Sequence, residues 1–131
     1  MSIKLTKTAE GQYRQQVQIG PHLLFSDARI DSTTDTAPDP HDIYDSALAA
    51  CKAITLIMYA QRSEIPLTDV AIEITRDASE ERQGRYQLHI DLKLDGDLNM
   101  AQREKLAQIA DKCPIHKLMT QVETIITTHC K

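Results

Sequence analysis

Sulfur is where this chain could do chemistry. It has three cysteines, Cys51, Cys113 and Cys130, and the first two are 62 residues apart. An odd number of widely spaced cysteines does not make the disulfide framework of a small secreted protein. In a reducing compartment such residues are catalytic, metal-binding or merely packed. Cys51 lies inside the segment HDIYDSALAACKAITLIMYAQR, near Ala47, Leu48 and Ile54. On local grounds it reads as a packed small hydrophobe shielded from water. Cys113 is followed by Pro114, and proline suits the first position of a helix, so Cys113 is expected to cap the helix beginning PIHKLM. A sulfur there faces unpaired backbone N–H groups and the positive end of the helix dipole. It is then either an activated thiolate or an inert cap. Two cysteines brought together by the fold suit peroxide reduction: one thiolate attacks an O–O bond and becomes a sulfenic acid, and the other condenses with it before further oxidation. An external dithiol then opens the disulfide.

Other constellations are weaker. Cys113 and His116 have the C-x-x-H spacing of half a metal site, with Cys51 or His41 as conceivable additions, but structural zinc takes four ligands in two close pairs and the second pair is missing. No metal is expected, and His116 is read as a partly exposed residue in the first turn of its helix. His22, His89 and His129 stand alone on strands or the tail, and Glu80, Glu81 and Arg82 form a charged loop rather than a catalytic carboxylate pair. There are four glycines and no Gly-rich phosphate loop. A Cys-His-Asp hydrolase has no supporting motif. Cys130 is penultimate and expected to be exposed.

The elements that must position the two cysteines are legible from periodicity. QYRQQVQI alternates as a strand over residues 12–19, and Gly20-Pro21 marks a turn before HLLFSD. Residues 31–39 read as a polar loop. Asp39 then serves as N-cap, Pro40 as the first helical residue and Asp42 as an acid near the positive dipole end of a helix over residues 40–62. Only Lys52 and Thr55 interrupt its apolar run after Ala47, so apolar residues fall on most faces and a central helix covered on several sides is expected. TDVAIEIT and RYQLHIDLKL alternate as a hairpin with one wet face, joined by SEERQG. Asn99 and Gln102 form a capping-box pattern that opens MAQREKLAQIADK, with Leu106, Ile109 and Ala110 as its buried stripe. Cys113-Pro114 starts a further helix, and VETIITT is expected to be a final strand. Helices segregated from antiparallel strands make an α+β fold, with antiparallel sheets around the long helix and no parallel nucleotide-binding sheet.

Composition narrows the class. A chain of 131 residues, 41% of them hydrophobic, has the size and richness of one globular domain over residues 1–131. N-terminal strands would occupy residues 1–38, and the hairpin, two helices and last strand residues 66–128. With 15 basic against 19 acidic residues, one Phe, four Tyr and no Trp, nucleic acid is not expected as a partner. The N-terminus lacks an apolar signal region, and the longest apolar run, Ala53 to Ala60, is under half of what a bilayer span requires. A soluble, cytoplasmic protein without a membrane partner is expected.

PDPHDIYDSALAACKAITLIMYAQR resembles the cysteine helix of the OsmC/Ohr family of thiol-dependent peroxidases, and IADKCPIHKLM resembles that family's second cysteine motif. Together with the ITRD and HIDLKLDGDL segments between them, the similarity covers roughly residues 37–128. The resemblance implies an OsmC-like fold, an intertwined homodimer with its sites at the subunit interface, Cys51 as peroxidatic cysteine and Cys113 as resolving cysteine. It further implies hydroperoxide substrates, often organic, a thiol or dithiol reductant, no bound cofactor and a role in oxidative stress defence. Family members carry a Glu straight after the helix-starting proline, where this chain has His41. They pair that carboxylate with an Arg from an N-terminal strand, a region that here contains Arg14 and Arg29. His41 or Asp42 would have to assist in the carboxylate's place. The alternative is a non-catalytic member of the same fold whose pocket holds a small apolar ligand.

Overall fold

Three short strands open the chain in the computed structural model, which describes residues 1–131. They are β1 (Ile3–Lys7), β2 (Gln15–Ile19) and β3 (His22–Ser26), paired as an antiparallel meander in that order. Ile19 pairs with His22 across a two-residue turn, and Gly20 occupies its positive-φ position at 54°. Only a residue without Cβ adopts that conformation at no cost. Leu5, Val17 and Leu24 face one another in the register and so share one side of this sheet.

After a loop, α1 (Pro40–Arg62) begins and ends at the residues expected from its caps and its apolar run. The Asp39 carboxylate accepts from the Asp42 N–H at 2.8 Å, and the Asp42 carboxylate accepts from the Asp39 N–H at 3.1 Å. This is a reciprocal capping arrangement in which Asp plays the part usually taken by Glu or Gln. The chain divides into two compact units within this helix, Met1–Ser46 and Ala47–Lys131.

In the second unit, β4 (Leu67–Asp77) and β5 (Gln87–Gly96) form the expected hairpin, with a single 3-10 turn at Glu81–Gln83 in the connection. Burial alternates along both strands, so Val70, Ile72, Ile74, Ile90, Leu92 and Leu94 share the less exposed face. At the hairpin's base, Gly96 has φ +139°, and a Cβ there would stand 2.1 Å from the Pro66 carbonyl oxygen. Two helices follow, α2 (Met100–Ala110) and α3 (Pro114–Thr120). Asn99 and Gln102 complete the predicted capping box of α2. Leu56, Ala60, Leu106 and Ala110 form the buried core of this unit, with Ile109 packed against it. The secondary structure is the α+β arrangement read from the sequence.

Two expectations are corrected. α1 is not covered on several sides within the chain. It buries Leu48, Lys52, Leu56 and Ala60, four residues apart on one stripe, while Ile54, Ile57 and Met58 stay 57%, 44% and 54% exposed. An apolar side chain on every face does not supply a neighbour for every face. No final strand forms over VETIITT, where residues 122–131 carry no regular structure and Ile125 and Ile126 are 82% exposed. The segment pairs with no strand of the two sheets, so its β propensity alone does not make it a strand. By length and composition alone, α1 as a whole is long and apolar enough to cross a membrane, a property shared by core helices of soluble proteins.

Candidate active site: a cysteine pair beside a buried lysine

Cys51 sits in the middle of α1, and Cys113 is the N-cap of α3, as Pro114 predicts. The fold brings them together: Cys51 is near enough to Cys113 to act on its thiol. Their exposure is unequal. Cys51, read as shielded, is partly accessible, and Cys113 is fully buried at 0%. The cause is the one-sided burial of α1. Cys51 precedes the buried stripe by one position, which turns it about 100° towards the open side of the helix, whereas Cys113 lies at the end of a connection only three residues long between α2 and α3.

The capping geometry is as expected, with the His116 N–H donating to the Cys113 sulfur at 3.3 Å. Its electrostatic result differs from the activated-thiolate reading. Burial pushes the Cys113 thiol above its ordinary value, and neighbouring Cys51 adds to that, while the His116 N–H and the positive charge of Lys52 pull the other way. Loss of water outweighs one capping hydrogen bond because the anion alone pays for desolvation.

Lys52 is the residue that sequence reading missed. Taken there as an interruption of an apolar run, it is 1% exposed. Its ammonium donates to the Ala110 carbonyl at 2.7 Å, stands 2.9 Å from His116 Nδ1 and lies 3.6 Å from the Asp111 carboxylate. The signal was available in the four-residue spacing Leu48, Lys52, Leu56, Ala60, which places the lysine on the buried stripe itself. A lysine there requires partners, since an unpaired ammonium is not tolerated away from water. His116 is partly buried, as expected for a first-turn residue, and no group of three or more His, Cys, Asp or Glu side chains is arranged to hold a metal ion.

The other candidates lie in the first unit. Arg29 pairs with Asp42, with further ion-pair contacts to Asp39 at 3.8 Å and Asp35 at 3.9 Å. The hydrogen bond and charge of Asp42 raise the Arg29 guanidinium above its ordinary value. Arg14 instead donates to the Thr36 hydroxyl at 2.7 Å and the Thr36 carbonyl at 3.0 Å, and its guanidinium lies 4.4 Å from the centre of the Phe25 ring. The Thr36 hydroxyl donates in turn to Asp27, whose carboxyl this bond holds below its usual range. Of the two arginines, Arg29 is the one joined to a carboxylate of the first helical turn. His41 is exposed.

Comparisons with known proteins now place the fold. The family model described as OsmC-like protein matches residues 33–128. The chain belongs to the OsmC-like protein family. Among solved structures, it is similar to an OsmC-like protein from Mycoplasma pneumoniae, with 17% identity, 92% of this chain and 87% of that chain covered, and a TM-score of 0.75. It is also similar to an organic hydroperoxide resistance protein OsmC from Legionella pneumophila, with 20% identity, 92% and 90% covered, and a TM-score of 0.63. A third similar structure is the organic hydroperoxide resistance protein OhrB of Bacillus subtilis, with 18% identity, 92% of each chain covered and a TM-score of 0.61. No curated protein matches the chain.

Proposed function

We propose that this chain is a thiol-dependent peroxidase that reduces organic hydroperoxides or hydrogen peroxide, with Cys51 as the oxidised residue and Cys113 as its resolving partner. The observation that carries this reading is the proximity of two free thiols of unequal accessibility. The accessible Cys51 is suited to meet a peroxide. As a thiolate it attacks one peroxide oxygen, an S–O bond forms, the O–O bond breaks, and the alkoxide leaves as alcohol after taking a proton. Buried Cys113, as thiolate, then attacks the Cys51 sulfur. An S–S bond forms, the S–O bond breaks, and the departing hydroxide takes a proton to become water. An external thiol or dithiol supplies two electrons and reopens the disulfide. No bound cofactor enters this cycle.

Membership of the OsmC-like family, and similarity to two proteins whose names give organic hydroperoxide resistance, support the peroxide reading. Arg29 with Asp42 is our assignment for the positively charged group and its carboxylate, with Asp42 standing in for the acid that His41 replaces; His41 and Arg14 have the lesser claim. A homodimer is part of the proposal, supported by the apolar surface that Ile54, Ile57 and Met58 leave open. Its place is the cytoplasm, without nucleic acid or membrane as partners. Treating the reduced protein with excess cumene hydroperoxide should yield a Cys51–Cys113 crosslink by peptide mass spectrometry. Free thiols persisting at both positions would sink the proposal.

The His41 replacement favours one other reading, a non-catalytic family member that binds a small apolar molecule. An unreactive cysteine pair together with a co-purifying apolar ligand would support it, and rapid peroxide turnover with a dithiol would exclude it.

A further inference from the structure

A lysine ammonium out of contact with water needs a counter-charge. Lys52, at 1% exposure, has two neutral partners, the Ala110 carbonyl at 2.7 Å and His116 Nδ1 at 2.9 Å. With the ammonium as donor, Nδ1 is an acceptor and the ring proton of His116 resides on Nε2. The one carboxylate in reach is Asp111, at 3.6 Å, and its side chain is 76% exposed. A carboxylate that open to solvent is well hydrated and neutralises a neighbouring charge only weakly. Two of the ammonium's three donors thus meet neutral groups, and its charge is incompletely neutralised.

The buried group beside it able to become an anion is Cys113. His116 touches both members of the pair, its ring nitrogen meeting the ammonium and its backbone N–H donating to the Cys113 sulfur at 3.3 Å. We propose that Lys52 is a positioning residue of the resolving step, its buried ammonium serving as the counter-charge that draws Cys113 into the thiolate form. The proposal rests on the reading of Cys51 and Cys113 as a redox pair. The groups acting on Cys113 are Lys52 and Cys51 from α1 and His116 from α3, with Asp111, in the connection after α2, near Lys52 and His116. Lys52 is the buried cation among them. Its positive charge opposes the burial that otherwise keeps the Cys113 proton in place.

Such a role is separable from simple packing. At Lys52, Gln keeps a hydrogen-bond donor and loses the charge, Met keeps the length and loses both, and Arg keeps the charge. The reduced full-length chain is labelled with iodoacetamide from about pH 6 to about pH 10, a range that spans the ordinary thiol pKa, and peptide mass spectrometry follows each cysteine separately. In Lys52→Gln and Lys52→Met, the midpoint of Cys113 labelling should move up by about one pH unit or more. That corresponds to roughly tenfold slower labelling at a fixed pH below the midpoint. Lys52→Arg should stay near the parent, and exposed Cys130 should titrate alike in all four proteins.

A Cys113 profile in folded Lys52→Gln that coincides with the parent overturns the proposal. So does an equal shift in Lys52→Gln and Lys52→Arg, which would mark a packing effect. Should Lys52→Met fail to fold, Lys52→Gln decides the matter alone. No peroxide enters this measurement. A charge-dependent shift without any peroxide-induced crosslink would leave the Lys52 assignment standing and remove the peroxidase reading.

Discussion

Two clusters of charge in this protein are built on opposite principles. In the first unit, Arg29 meets Asp35, Asp39 and Asp42 with its side chain 49% exposed, surrounded by full opposite charges and open to water. In the second, Lys52 is 1% exposed, and its two shortest contacts are to a carbonyl and an imidazole. The guanidinium is over-neutralised and screened, so its energy depends little on any one partner. The ammonium is under-neutralised and dry, so its energy depends strongly on what else nearby acquires charge. A buried ion is therefore suited to govern a neighbour's titration, while an exposed network is suited to hold a loop against a helix start.

The sharpest way to break this contrast is at the cysteines that the buried charge would serve. Cys51→Ser should lower peroxide consumption by about a thousandfold or more, because a hydroxyl at its free pKa is a poor nucleophile. Cys113→Ser should leave Cys51 reactive but drive it to sulfinic acid, visible as a mass gain of two oxygens. Retained turnover in Cys51→Ser would dismiss the site. Next in size is the core beneath the lysine: Leu56 is 0% exposed and one helical turn from Lys52, so Leu56→Ala should cost about 2–5 kcal/mol in denaturant unfolding. A loss well below that range would mean that the surroundings of Lys52 are looser than the contacts indicate.

The pH dependence should be milder. Because burial raises the Cys113 pKa, the thiolate is scarce at neutral pH, and disulfide formation after a peroxide pulse should accelerate as pH rises, by up to about tenfold per unit below the folded pKa. A flat rate across that range would contradict a thiolate-limited resolving step. The linked stability runs the other way. An acid whose folded pKa is raised contributes stability fully below its unfolded value, and that contribution is lost as pH climbs through the folded one. Smallest of all should be Arg29→Ala, which removes an exposed network and should shift thermal unfolding by only about 1–2 °C. Global unfolding in that variant would show that the open cluster carries more than its exposure implies.

Much of this architecture is local and was readable as such. Asp39 and Pro40 fixed the start of α1, Asn99 with Gln102 the start of α2, and Cys113 with Pro114 the start of α3, because an orphaned N–H finds its cap within three residues. The hairpin alternation from Val70 to Leu94 translated directly into its two faces. The same reasoning erred where the answer lay in a distant partner. VETIITT has strand-forming residues but pairs with no strand, and Cys51 lies among apolar neighbours in sequence on a helix that buries only one stripe. Arg14 and Arg29 were indistinguishable until the loop placed Thr36 against one and Asp42 against the other.

Residue order alone determined where the three helices begin, the alternation of the β4–β5 hairpin and which cysteine would sit at a helix start, since these depend on caps, turns and periodicity within a few positions. Only the tertiary structure decided that the more accessible thiol is Cys51, that Cys113 is the buried one, and that Lys52 lies within hydrogen-bonding distance of His116. Water exclusion and charge pairing are properties of what surrounds a side chain, and for residues 52 and 116 that surrounding comes from segments more than sixty positions apart.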